Sequence, residues 1–166
     1  MFTRRAVLHS LGSVALASTS AQAAAPRDVA WDDLIPPGVP YSEIIGEGDM
    51  DVINDTWRPV YDENAIKLNE DLNGAYIRMP GYIIPLEMGS QGIIEFILVP
   101  YVGACIHVPP PPANQLVLVA SRVPWRGMGL WDPLWATGEL STRLQSTNLG
   151  DIGYFLKADR LEPFEW

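Results

Sequence analysis

Ala75-Tyr76-Ile77-Arg78-Met79 and, after a Pro80-Gly81 pair, Gly81-Tyr82-Ile83-Ile84-Pro85-Leu86 decide the fold class of this chain. Both segments are rich in β-branched and aromatic residues, which suit a pleated, packed surface. The Pro80-Gly81 pair marks a bend or bulge. Met88-Gly89-Ser90-Gln91-Gly92 reads as a turn, and residues 93–101 form a second strand too apolar to have one face fully in water. Further strands are expected over residues 116–119, 134–140 and 154–157. Five strands without a regular helical pattern between them point to a mostly β fold. A small five-stranded OB-like barrel is the first choice and a β-sandwich the alternative.

Upstream of this block the signals are weaker. Residues 24–73 read as an irregular N-terminal arm with short helices, packed as one globular unit against a barrel domain of residues 74–166. Trp31-Asp32-Asp33-Leu34-Ile35-Pro36-Pro37 suggests a helical turn stopped by the proline pair. Ala65, Leu68 and Leu72 fall at helical spacing between Asp62 and Leu72, with Gly74 as the stop. Glu47-Gly48-Asp49-Met50-Asp51 is expected to be a solvated acidic surface, because its spacing lacks the order of a calcium loop.

The first 23 residues read as an export signal. Arg4-Arg5 precedes an apolar stretch at residues 11–17, and Ala21-Gln22-Ala23 has the small-x-small form that a signal peptidase cuts. The paired arginines favour the twin-arginine route for folded proteins. The apolar stretch is far short of the ~20 residues a membrane span needs. A soluble periplasmic protein beginning near Ala24 is therefore expected. The formal charge of −9 becomes −11 once the leader is removed, which argues against a nucleic-acid partner.

Cys105 is the sole cysteine, and His107 the sole histidine beyond the leader. They stand two residues apart in Gly103-Ala104-Cys105-Ile106-His107-Val108, ahead of Pro109-Pro110-Pro111-Pro112-Ala113-Asn114-Gln115. On an extended chain they share one face. A lone cysteine makes no internal disulfide, so it is buried, metal-bound, reactive or paired with another molecule. The four prolines cannot continue a central strand and should form a stiff polyproline II segment leaving the sheet.

Much of the chain resembles a family of exported bacterial proteins known only as a domain of unknown function. The resemblance is carried by residues 79–87, by Glu95-Phe96-Ile97-Leu98-Val99-Pro100-Tyr101, by Gly103 to His107 and by the proline run through Asn114-Gln115. Trp31 to Pro36 and Asp132-Pro133-Leu134-Trp135 with Thr137-Gly138 extend it. It implies an exported protein, in some members lipid-anchored, associated with exporter-type permeases and metal-responsive genes. No cysteine lies near the expected cut here, so lipid attachment there is not expected.

Thiolate and imidazole suit zinc or copper, so Cys105 and His107 are candidate metal ligands, with Glu87, Glu95 and Asp132 to complete the set. On this reading the chain is a binding or accessory protein of the envelope, linked to metal handling or to an ABC-type transport system. Against it stands a structural reading in which Cys105 is a small core hydrophobe and His107 an orienting donor. In the second functional class Trp125, Arg126 and Trp131 form a recognition loop for a protein partner, Trp and Arg being frequent binding hot spots. An enzyme ranks third: no Gly-x-Ser-x-Gly, Cys-x-x-Cys or His-Glu-x-x-His is present.

Overall fold

A computed structural model describes residues 25–51, 56–104, 109–127, 129–147 and 150–164 of the chain. Among the described residues there are eight strands: β1 (Arg27–Asp28), β2 (Ile44–Asp51), β3 (Thr56–Tyr61), β4 (Tyr76–Gly89), β5 (Gly92–Val99), β6 (Val117–Trp125), β7 (Pro133–Thr147) and β8 (Gly150–Pro163). Five of them close a barrel in the order β4-β5-β6-β8-β7, with β7 returning to pair with β4. The β6–β8 pairing is parallel and the other four are antiparallel. This is the OB order, in which the third and fifth barrel strands are parallel neighbours. The expected barrel is present, with β1 added as a short extra strand alongside β4.

Alternation explains the barrel. In β4, Ile77, Met79, Gly81 and Ile83 are buried while Tyr76, Arg78 and Pro80 face outward. Phe96 and Leu98 of β5, Val117 and Val119 of β6, Leu134 and Leu140 of β7, and Tyr154 and Leu156 of β8 complete the interior. The expected break at Pro80-Gly81 does not occur: residues 76–82 pair with β7 in unbroken register. The shifts fall instead between Pro85 and Met88, where β4 pairs with β5. The strand changes partner at Tyr82, and the backbone groups of Arg78 and Pro80 point away from β7, toward Val29 N and Trp31 Nε1, so the missing Pro80 N–H takes nothing from the β4–β7 ladder.

The arm closes the barrel. Val29, Leu34 and Leu72 join the interior cluster, and Leu34 and Leu72 are fully buried. Each such side chain stabilises the fold by about 2 kcal/mol. Trp31–Leu34 is the expected helical turn, of 3₁₀ type. The helix expected over residues 62–72 is instead two 3₁₀ turns, Glu63–Ile66 and Glu70–Leu72. The Asp62 carboxylate accepts from Asn64 N and the Asn69 side chain from Asp71 N, so each polar residue restarts the chain where a continuous helix would need a backbone bond. Ala65 and Leu72 are nonetheless buried and Leu68 packs on the core. The acidic run Glu47–Asp51 belongs to β2, which forms a separate two-stranded sheet with β3. Among the described residues, no helix is long and apolar enough to cross a membrane.

Candidate functional site

The outer faces of β5 and β6, where OB barrels commonly take ligands, are covered by the chain itself. Ile97 and Val99 alternate with the interior residues, yet they are 1% and 0% exposed. They pack with Ala104, Leu116 and Ile152, and Tyr82, Ile84, Tyr101 and Trp131 lie against this second cluster. Trp131 reaches it through a left-handed backbone conformation (φ 66°) that non-glycine residues seldom adopt. Its N–H donates to the Ile83 carbonyl at 2.8 Å, which holds the strained residue against β4.

An open concavity lies elsewhere, between the arm, the prolines and the adjoining ends of β7 and β8. It measures about 570 Å³. Arg58, Pro59 and Tyr61 come from β3, and Asp62, Glu63, Ala65 and Ile66 from the first turn after it. Pro110, Pro111 and Pro112 make the opposite wall, and Ser146, Thr147, Gly150 and Asp151 make the end. Pro112 has φ −61° and ψ 160°, the polyproline II geometry expected for the run.

The proline wall is fixed by side chains. The Tyr101 hydroxyl donates to the Pro109 carbonyl at 3.1 Å, and the Tyr61 hydroxyl to the Pro110 carbonyl at 2.6 Å. Burial first, then the neighbouring Tyr101 and Tyr41, pushes the Tyr61 phenol up to about 12. It therefore remains a donor throughout the physiological range. Beyond the prolines, Asn114 Nδ2 donates to the carbonyls of Asn64 (2.9 Å) and Lys67 (3.2 Å), and Gln115 Nε2 donates to that of Trp31 (3.0 Å). Both amides are buried and tie the proline exit to the arm. Asp62 accepts from the Ser42 hydroxyl at 2.8 Å and from Asn64 N at 2.9 Å. The Ser42 bond is the main cause holding its carboxyl below the usual range, so it stays an anion.

Of the residues expected to carry function, Cys105 and His107 lie outside the described residues, as does the whole leader. Glu87 and Glu95 face each other across the irregular part of the β4–β5 pairing. Asp132 is elsewhere: its Oδ2 accepts from Trp125 Nε1 at 2.8 Å and from Gly129 N at 2.9 Å. That oxygen organises the 126–132 turn, and a Cβ on Gly127 would stand 1.9 Å from it. Among the described residues, no three His, Cys, Asp or Glu side chains are grouped to hold a metal.

Trp125 and Arg126 line a second concavity with Asp132 and Phe164, and Trp131 is not part of its lining. Trp125 packs on the barrel core and Trp131 on the outer cluster, both half-buried. Trp135 lies under the Arg78 guanidinium, 4.1 Å from its ring centre, and meets Phe164 edge to face at 5.1 Å. Arg126 is exposed and Nη2 reaches Gln91 Oε1 at 3.4 Å. Sequence reading singled out the prolines and missed Tyr61 and Tyr101. Tyr101, eight positions before its partner Pro109, was the available local signal, whereas Tyr61, 49 positions from Pro110, offered none.

Fold and site together define an OB-like barrel whose usual ligand face is filled and which carries a preformed cleft beside its last hairpin. The family model described as protein of unknown function (DUF3299) matches residues 31–163, and the chain belongs to that family. It is similar to a DUF3299 family protein from Pseudomonas aeruginosa PAO1, whose crystal structure is at 2.45 Å resolution. The two align with a TM-score of 0.68 and 32% identity, over 86% of this chain and 99% of that one. No curated protein matches the sequence.

Proposed function

We propose that the chain is an exported binding or accessory protein of the bacterial envelope, and that the cleft is its binding site. One observation carries this reading: a concavity of about 570 Å³ whose proline segment is fixed by two tyrosine hydroxyls, Tyr61 on Pro110 and Tyr101 on the preceding Pro109. That size is typical of binding sites, and a wall fixed before binding reduces the ordering cost of association. Export is supported by Arg4-Arg5, the short apolar stretch and Ala21-Gln22-Ala23. A link to zinc or copper handling, or to an ABC-type transport system, is supported by the Cys105 and His107 pair and by the family resemblance. The alternative site around Trp125, Arg126 and Trp131 has less support, because its tryptophans pack against different parts of the barrel.

The test is photo-crosslinking in intact cells from single reactive residues placed at exposed Ile66, in the cleft, and at exposed Leu130, in the 126–132 turn. The expected result is a discrete adduct with an envelope component from position 66 only. An adduct from position 130 alone would transfer the binding role to the tryptophan turn, and identical patterns from both would remove the cleft from consideration.

A further inference from the structure

We propose that the cleft takes an extended basic segment of a partner protein, with its lysine or arginine side chains against Asp62, Glu63 and Asp151 and its apolar side chains against the prolines. This rests on the reading of the cleft as a binding site and names the class of occupant.

Charge is the first argument. The lining carries three carboxylates against one guanidinium, Arg58, which has an interaction of its own. Asp62 and Asp151 are held by neutral donors: Ser42 and Asn64 for the first, and Ser146 Oγ at 2.6 Å for the second. Among the described residues neither has a lysine or arginine within 4.0 Å, whereas Glu63 pairs with Lys67 at 3.1 Å across open solvent. A solvent-exposed pair of that kind is weak and exchanges readily for another cation. Hydroxyls and amides orient the two aspartates and leave their charge unneutralised, so an arriving cation meets negative potential in a fixed place.

Extent is the second argument. Ile66 in the cleft is 51% exposed, and Ile44, the register partner of cleft residue Tyr61, is 42% exposed on the neighbouring strand. A small amine would fill the acidic part of the cleft and leave these side chains in water, while a chain alternating apolar and basic residues covers both. An anionic lipid surface would be repelled by the same carboxylates. Among the described residues no three acidic side chains are grouped as a divalent cation requires.

The experiment uses the ¹⁵N-labelled exported protein and three short peptides in which valine alternates with lysine, with glutamate or with serine. The lysine peptide should shift the amide signals of residues 61–66 and 146–151. Its affinity should fall about tenfold between 0.01 M and 0.15 M salt, as expected when exposed charges are screened. Asp151→Asn should weaken it about threefold, the effect of losing one exposed charge contact. Equal binding of the glutamate or serine peptide would overturn the charge argument and leave the cleft as a site for something else. Shifts confined to other acidic surfaces, or indifference to Asp151→Asn and Ile66→Ser, would show general attraction to an acidic protein and overturn the proposal. Silence from all three peptides, with the position-66 crosslink intact, would refute the extended segment while the cleft itself stood.

Discussion

The barrel and the arm are held by different means. In the barrel, five strands satisfy one another's backbone groups, and alternation sends one residue in two to the interior. In the arm, the short turns and the hairpin have no ladder to the barrel: Leu34 and Leu72 anchor the turns in its interior, and single side-chain bonds make the polar ties to the barrel and the proline segment. Trp31 Nε1 donates to the Pro80 carbonyl at 2.9 Å, and the Tyr154 hydroxyl donates to the Leu34 carbonyl while accepting from Asn69 N. Loss of one bond in a ladder is shared among its neighbours, whereas loss of one of these ties releases a whole segment. The cleft has one wall of each kind, so its shape depends on the weaker attachment.

The largest expected effect tests the barrel. Gly138 lies where β7 pairs with both β4 and β8, at an irregular step in the β8 register. A Cβ there would stand 2.1 Å from the Lys157 carbonyl oxygen and 2.7 Å from Ala158 Cα, backbone that has nowhere to go. Gly138→Ala should therefore cost about 3 kcal/mol or more, read from denaturant unfolding. A cost under about 1 kcal/mol would mean that the closing seam is far more compliant than a ladder should be.

An intermediate effect tests the arm. Tyr154→Phe keeps the buried ring but strips the Leu34 carbonyl and Asn69 N–H of their partner, at a cost of about 2 kcal/mol. Hydrogen exchange should quicken at arm amides such as Leu72, which donates to the Asn69 carbonyl, with Val119 and Leu156 in the barrel still protected. Equal loss of protection in both would merge them into one cooperative unit. The wild-type chain should also lose stability between pH 10 and 12. Burial raises the Tyr154 phenol from 10.0 to about 12, and Tyr61 likewise, so the unfolded chain gives up its protons first and folding weakens as pH rises. Tyr154→Phe should flatten that decline.

The same division decides what could be read from the sequence. Barrel strands were legible because burial imposes a pattern on consecutive residues, as in Ile77, Met79, Gly81 and Ile83. The β2–β3 hairpin was not, because Gly46, Glu47, Gly48 and Asp49 interrupt any alternation and most of β2 is exposed. Between Asp62 and Leu72 the inward positions were right and the helix was wrong: three apolar residues at helical spacing also suit two 3₁₀ turns. The cleft draws on Arg58 to Ile66 of the arm, on Pro110 to Pro112, and on Ser146, Thr147, Gly150 and Asp151, and only the fold brings these together. No local motif encodes that meeting. The tyrosine and amide bonds that shape it span as many as 84 positions.

The smallest effect concerns one charge at the cleft. The Ser42 hydroxyl is the main reason the Asp62 carboxyl titrates below its ordinary value of 3.8, with Asn64 and Glu43 N–H contacts adding to it against a partial desolvation that opposes them. Ser42→Ala should therefore move the Asp62 titration upward, followed by carboxyl ¹³C shifts. A depressed folded-state pKa means that the unfolded chain binds the proton more tightly. Its stabilising contribution is present above the ordinary value and disappears as pH falls through the folded one. The variant should accordingly lose less stability on acidification below about pH 4 than the wild type does. Barrel amide shifts should stay in place, because Ser42 and Asp62 both belong to the arm. An Asp62 titration that does not move would show that the Asn64 contacts alone hold the anion, and that this corner of the cleft is fixed by the backbone turn as firmly as the barrel is by its ladders.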